Sequence, residues 1–216
     1  ESAFSGCTSL KKITLPDTVK SIGGGAFSKS GLTSITIPVT AYKGNYTLGD
    51  SNGVPVFKDC KSLTKVVFSD AEVKNFVISR DDFRNCTSLK KVYLPKSAKN
   101  IYIEASAFRG CKNLTKVYNT GNIVKIGANA FRGCKALTSF TISSKVTEIG
   151  KTAFYGCLRR AGAGGAGCHC QNHAGGITDG IRQGNRHPGK RNLGPAAGGP
   201  GIGKRLPPGR GLPPCT

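Results

Sequence analysis

Six cysteines share one place in a recurring phrase: Cys7, Cys60, Cys86, Cys111, Cys134 and Cys157 each follow a phenylalanine by three residues. Thiols in such a series could act as nucleophiles, metal ligands or disulfide partners. A cysteine nucleophile needs a base to draw off its proton, and residues 1–157 contain no histidine. Structural zinc asks for four ligands, usually from two spaced pairs. The one dense group, Cys168, His169, Cys170 and His173, has no second pair near it, and Cys215 is distant. Stacked neighbours would meet the distance a disulfide needs, but parallel side chains seldom supply its torsion. The series is therefore expected to be a buried ladder of reduced, inert thiols. No metal and no other cofactor is expected.

Carboxylates and glycine loops offer no better chemistry. The acids of the first 157 residues are scattered, and the adjacent pair Asp81-Asp82 opens a unit, where turn or capping use is expected. Gly23-Gly24-Gly25 lacks the Lys-Ser/Thr of a phosphate cradle, and the run from Gly201 to Arg205 lacks a flanking strand or helix. The chain is read as not an enzyme.

Elements must hold these residues, and the phenylalanines reveal them. Phe4, Phe27, Phe57, Phe83, Phe108, Phe131 and Phe154 recur at spacings of 23, 30, 26, 25, 23 and 23 residues. Such a period is too short for paired helices and falls in the leucine-rich-repeat range. Six residues after most of them stands Leu10, Leu63, Leu89, Leu114 or Leu137, with Leu32 one place early. Alternating β-prone runs follow at Ile13–Leu15, Ile35–Ile37, Val66–Phe68, Val92–Leu94, Val117–Tyr118 and Phe140–Ile142, each a half-buried strand by its period. A second apolar pair returns the chain: Val19 with Ile22, Val124 with Ile126, Val146 with Ile149. Gly23, Gly127 and Gly150 close it and are expected at turns of positive φ. The expected fold is mostly β: a leucine-rich-repeat solenoid of about seven 23–30-residue turns over residues 1–157. Stacking of neighbouring turns would build its core.

These positions, written L-x-x-I-x-L-P-x-x-V-x-x-I-G-x-x-A-F-x-x-C, resemble the BspA-like leucine-rich-repeat family over residues 1–157. Residues 39–55 depart from the pattern and are read as an inserted loop, and 69–81 lose the return signature. The resemblance implies a cell-surface or secreted protein that binds host or matrix proteins or other cells.

After Cys157 the text changes. Residues 158–216 hold 16 glycines and 7 prolines and no Phe or Tyr, too little apolar area to offset ordering entropy. This low-complexity tail is expected to be disordered. A break in mid-unit suits out-of-frame reading of GC-rich DNA as well as a genuine linker. The chain also opens inside a unit and contains no methionine, which predicts a fragment of a longer protein.

The formal charge of +21 favours polyanionic partners. On the main strands, outward positions read Lys65, Lys91 and Lys116 in three consecutive turns, beside Val67, Tyr93 and Tyr118. These six are the candidate ligand-binding residues: lysines for carboxylate, sulfate or phosphate, tyrosines for sugar rings or a partner chain. The alternative is ordinary solvent-facing strand chemistry. The function expected is adhesion or recognition of a protein or glycan ligand through the repeat sheet. Electrostatic binding of polyanions (acidic glycan or nucleic acid) and a structural spacer are the alternatives. No specific nucleic-acid recognition and no membrane span are expected.

Overall fold

The computed structural model describes residues 1–42, 54–157 and 169–172. Short runs of alternating apolar and polar residues become parallel strands, because each run can bury one face and pair with its copy one turn away. The first sheet joins β1 (Ser34–Ile37), β2 (Lys65–Phe68), β4 (Lys91–Tyr93) and β6 (Lys116–Tyr118) in that order. Pairing is in register, Ile35 with Val66, Val66 with Val92, and Val92 with Val117, so apolar side chains at equivalent positions point inward together. Pro38 and Pro95 follow β1 and β4, where a missing N–H costs no ladder bond.

A second parallel sheet carries the return path through β3 (Asn75–Ile78), β5 (Asn100–Ile103), β7 (Ile123–Ile126) and β9 (Glu148–Ile149). β3 lies within 69–81, where the sequence left the return unspecified; Phe76 and Ile78 are its buried residues. In β7 the inward residues are Ile123 and Ile126, and Val124 is half-buried. The expected pair Val124/Ile126 is thus corrected: a register shift beside Ile101/Tyr102 moves Ile123 into the core.

The core between the sheets is one cluster, and its spine is the phenylalanine series. Consecutive rings from Phe4 to Phe154 stack at 5.1–5.4 Å with interplanar angles of 4–8°, within the range favoured by offset aromatic pairs. Backbone bonds tie the same corner together. The amide of each Phe donates to the carbonyl preceding the next one, as in Phe83 to Ala107 and Phe108 to Ala130, both 2.8 Å. Phe4, with a ring neighbour on one side, is 36% exposed.

Several expectations change. Ile13–Leu15 forms no strand, and Cys7 is exposed, since the first unit packs against the following turn on one side. Gly23, Gly127 and Gly150 do not have positive φ. A Cβ on Gly127 would lie 2.6 Å from the Ala105 amide nitrogen, and one on Gly150 2.3 Å from that of Ala128, so glycine is needed there for close approach between turns. Left-handed residues sit two places later, at Asn129 and Thr152. Val39–Tyr42, the start of the expected insertion, is a 3₁₀ turn with Val39 and Ala41 buried; residues 43–53 lie outside the described ones. Within the expected disordered tail, His169–Asn172 forms strand β10, parallel to β8 (Ser139–Ile142). The rest of the tail, including Cys168 and His173, lies outside the described residues.

Candidate functional site

β2, β4 and β6 place the six candidate residues on one sheet face. The pairing aligns Lys65 with Lys91 and Lys91 with Lys116, and aligns Val67 with Tyr93 and Tyr93 with Tyr118. The lysines are exposed; Val67 and the tyrosines are half-buried. Burying Val66, Val92 and Val117 beneath the sheet forces this outcome, because successive side chains on a strand take opposite faces.

Tyr93 and Tyr118 stack with ring centroids 4.4 Å apart and planes 1° from parallel. Lys65 Nζ lies 5.4 Å from the centroid of Tyr93, and Lys116 Nζ 5.2 Å from that of Tyr118. Each such exposed contact stabilises by roughly 0.5–1 kcal/mol. It also resolves the crowding of like charges one strand spacing apart, since the end lysines lean onto rings. Among the described residues, none of the three lysines pairs with a carboxylate; the two ion pairs are Arg84–Asp81 and Lys125–Glu148. Toward β1 the face turns small and polar, with Ser34 opposite Lys65 and Thr36 opposite Val67. The arrangement offers cations beside a flat aromatic step, and holds no acid–base pair.

The cysteines do other work. Cys60, Cys86, Cys111, Cys134 and Cys157 are buried. Each donates its S–H to the carbonyl of the phenylalanine one turn back: Phe27, Phe57, Phe83, Phe108 and Phe131, at 2.9–3.4 Å. All six repeat cysteines are free, and at Cys60 hydrogen bonds with Cys86 and Ser30 lower the thiol pKa to about 7 against the effect of burial. Burial pushes the Cys86 and Cys111 thiols well above their ordinary value, which keeps them protonated and unreactive. Ser30, holding the cysteine position in its turn, is also buried, with its hydroxyl 3.5 Å from Cys60 Sγ. No group of three His, Cys, Asp or Glu is placed to hold a metal among the described residues. No helix among them is long and apolar enough to cross a membrane.

Two features escaped the sequence reading. Asp82 lies in a turn and accepts from the amides of Val56 at 3.2 Å and Ser79 at 3.1 Å, the turn or capping use expected of it, but its full burial was not foreseen. Its place in the unit, which is alanine in Ala-Phe units, was the available signal. The other is a row of cations following the repeat phenylalanines, Lys58, Arg84, Arg109 and Arg132, visible once the units are aligned on Phe.

A model of the BspA type leucine rich repeat region matches residues 1–52 and 50–160, with six copies. No curated protein matches the chain. Among solved structures, a leucine rich cell surface protein from Faecalibacterium prausnitzii A2-165 is 26% identical over 71% of this chain and 47% of its own, with a TM-score of 0.39. The chain thus spans about half the length of that protein. A T. pallidum leucine rich repeat protein is also 26% identical, over 67% of this chain and 68% of its own, with a TM-score of 0.45. A leucine-rich repeat protein from Bacteroides ovatus ATCC 8483 is 21% identical, over 72% and 66%, with a TM-score of 0.26. The family model covers the same units whose phenylalanines stack and whose strands pair in register, and the chain belongs to the BspA-type leucine-rich-repeat family.

Proposed function

We propose that this chain is a non-enzymatic recognition module of a cell-surface or secreted protein, and that it binds a protein or glycan ligand through the exposed face of β2, β4 and β6. The observation that carries this reading is the Tyr93–Tyr118 stack flanked by Lys65, Lys91 and Lys116 without carboxylate partners. A packed core needs nothing from that face. Paired tyrosines give flat apolar area with polar tips at small entropic cost, and lysines without partners supply charge to an incoming carboxylate or sulfate. A sheet built of repeats gains strength by area and multiple contacts and needs no deep pocket. The family and the cell-surface description of one relative support an external location.

The test is binding of the chain to an array of immobilised extracellular-matrix proteins and acidic glycans. It compares wild type with Tyr93→Ala/Tyr118→Ala and with Lys91→Glu/Lys116→Glu. Each double variant is expected to weaken the retained ligands by about tenfold or more, as loss of clustered aromatic or charged contacts does, with circular dichroism unchanged. Retention of every ligand at wild-type strength by both variants overturns the reading. A protein ligand should survive moderate salt, whereas sulfate or carboxylate contacts should weaken steeply.

A further inference from the structure

A second charged surface lies one segment upstream of the sheet face in each turn. The residue after each repeat phenylalanine is Ser5, Ser28, Lys58, Arg84, Arg109, Arg132 or Tyr155 in successive units. The backbone stacks these positions directly. The amide of Lys29 donates to Lys58, that of Asp59 to Arg84, Asn85 to Arg109, Gly110 to Arg132 and Gly133 to Tyr155, at 2.8–3.0 Å. The phenylalanine rings next to them repeat at 5.1–5.4 Å, so the cations recur about once per strand spacing.

A parallel row stands three residues further on, at Lys61, Thr87, Lys112 and Lys135, with all three lysines exposed. Lys112 and Lys135 are set by the same stacking, the Ala136 amide donating to the Lys112 carbonyl at 3.0 Å. Between the rows the floor loses its side chains as it proceeds: Asp59, Asn85, Gly110, Gly133. Gly133 has φ 76°, and a Cβ built there meets nothing closer than 3.9 Å, whereas one on Gly110 would lie 2.6 Å from Asn85 Oδ1, so the strip is open at Gly133 and bounded at Gly110 by the Asn85 side chain. Acids sit at one end only. Asp81 pairs with Arg84 at 3.5 Å, and Asp59 accepts from Asn85. Arg109 and Arg132 have no carboxylate partner among the described residues; Arg132 bonds Asn129 Oδ1 and rests 5.3 Å from the Tyr155 centroid.

We infer that this corner, with Arg109 and Arg132 on one side and Lys112 and Lys135 on the other, is a docking trough for a linear sulfated polysaccharide. Cations repeating along the stacking direction match a polymer whose charges also repeat along one axis. The planar fork of arginine engages a tetrahedral oxyanion through paired hydrogen bonds. A glycine floor admits a polymer backbone closely, and Tyr155, at one end beside Arg132, is the single ring in the row, whereas single-stranded nucleic acid depends on a succession of rings for its bases. This surface is separate from the sheet-face site proposed above, and either can fail without the other.

The experiment titrates the full chain with size-fractionated heparin oligosaccharides at two salt concentrations. Arg109→Gln/Arg132→Gln, at one half-buried and one exposed position, is expected to weaken binding about tenfold and to lower the slope of log affinity against log salt by about two, one per contact removed. Lys74→Gln/Lys99→Gln, exposed but outside both rows and outside the sheet face, should change either quantity far less. An equal loss in the two double variants, or no loss in the arginine variant, overturns the proposal. So does competition by a single-stranded oligonucleotide of equal charge that matches the oligosaccharide.

Discussion

Asp82 occupies a core position that alanine holds at Ala26, Ala107, Ala130 and Ala153. A carboxyl group is tolerated there because its two oxygens accept from the amides of Val56, just after the insertion, and Ser79, just after β3. Burial nonetheless dominates, with Asp81 beside it adding repulsion, and raises its pKa to about 8 despite the two amides. The sign follows from linkage. Between roughly pH 4 and pH 8 the folded state keeps a proton that the unfolded chain has released. Stability contributed at this position is therefore greatest in acid and is lost as pH rises through that window, by at most about 1.4 kcal/mol per pH unit. Denaturant titrations across pH 4–9 should show this slope in wild type and a flatter profile in Asp82→Asn. Parallel profiles would show that Asp82 does not carry the dependence.

At the scale of the element, the strands are too short to stand alone and depend on the closeness of the turns around them. Gly127 and Gly150 illustrate how close that is, with the preceding turn's backbone inside the space of a methyl group. Backbone cannot swing aside as a long side chain can. Gly127→Ala must therefore push β7 away from β5 or open the turn before Ala130, a form of overpacking that costs roughly 1–3 kcal/mol. The measurement is the urea midpoint, and Gly121→Ala serves as control because a Cβ there meets nothing within 4 Å. Equal midpoints for the two variants would refute close approach as the reason for glycine at 127. The same closeness sets the tyrosine stack, since in-register pairing of β4 with β6 leaves Tyr93 and Tyr118 no wider separation.

Across the molecule, the described repeats share one core in which each turn's ring contacts those before and after it. Coupling is then between nearest neighbours. Phe108, fully buried between Phe83 and Phe131, should cost roughly 3–5 kcal/mol on replacement by alanine. Hydrogen exchange should reveal where the loss is felt: amides of β4, β5, β6 and β7 exchange faster, and those of β1 change least. A uniform acceleration would mean that the repeats unfold as one body. No change in melting would refute the stacked core itself.

The primary sequence by itself determined the repeat period, the inward phenylalanine and leucine positions, the main strands from Ser34 onward, and the outward row Lys65, Lys91, Lys116 with Val67, Tyr93 and Tyr118. It could do so because side-chain alternation along a strand and equivalence between copies are local regularities, legible without knowing which turn touches which. Tertiary structure decided what depends on contact between turns. It put Asp82 inside, since the amides it serves lie 26 residues away on Val56 as well as nearby on Ser79. It chose Ile123 over Val124 through a register shift, and gave the spacer glycines a steric role in place of a conformational one. The distance between two tyrosine rings, and the stacking of Arg109 upon Arg132, likewise follow from backbone bonds between residues that no short stretch of sequence brings together.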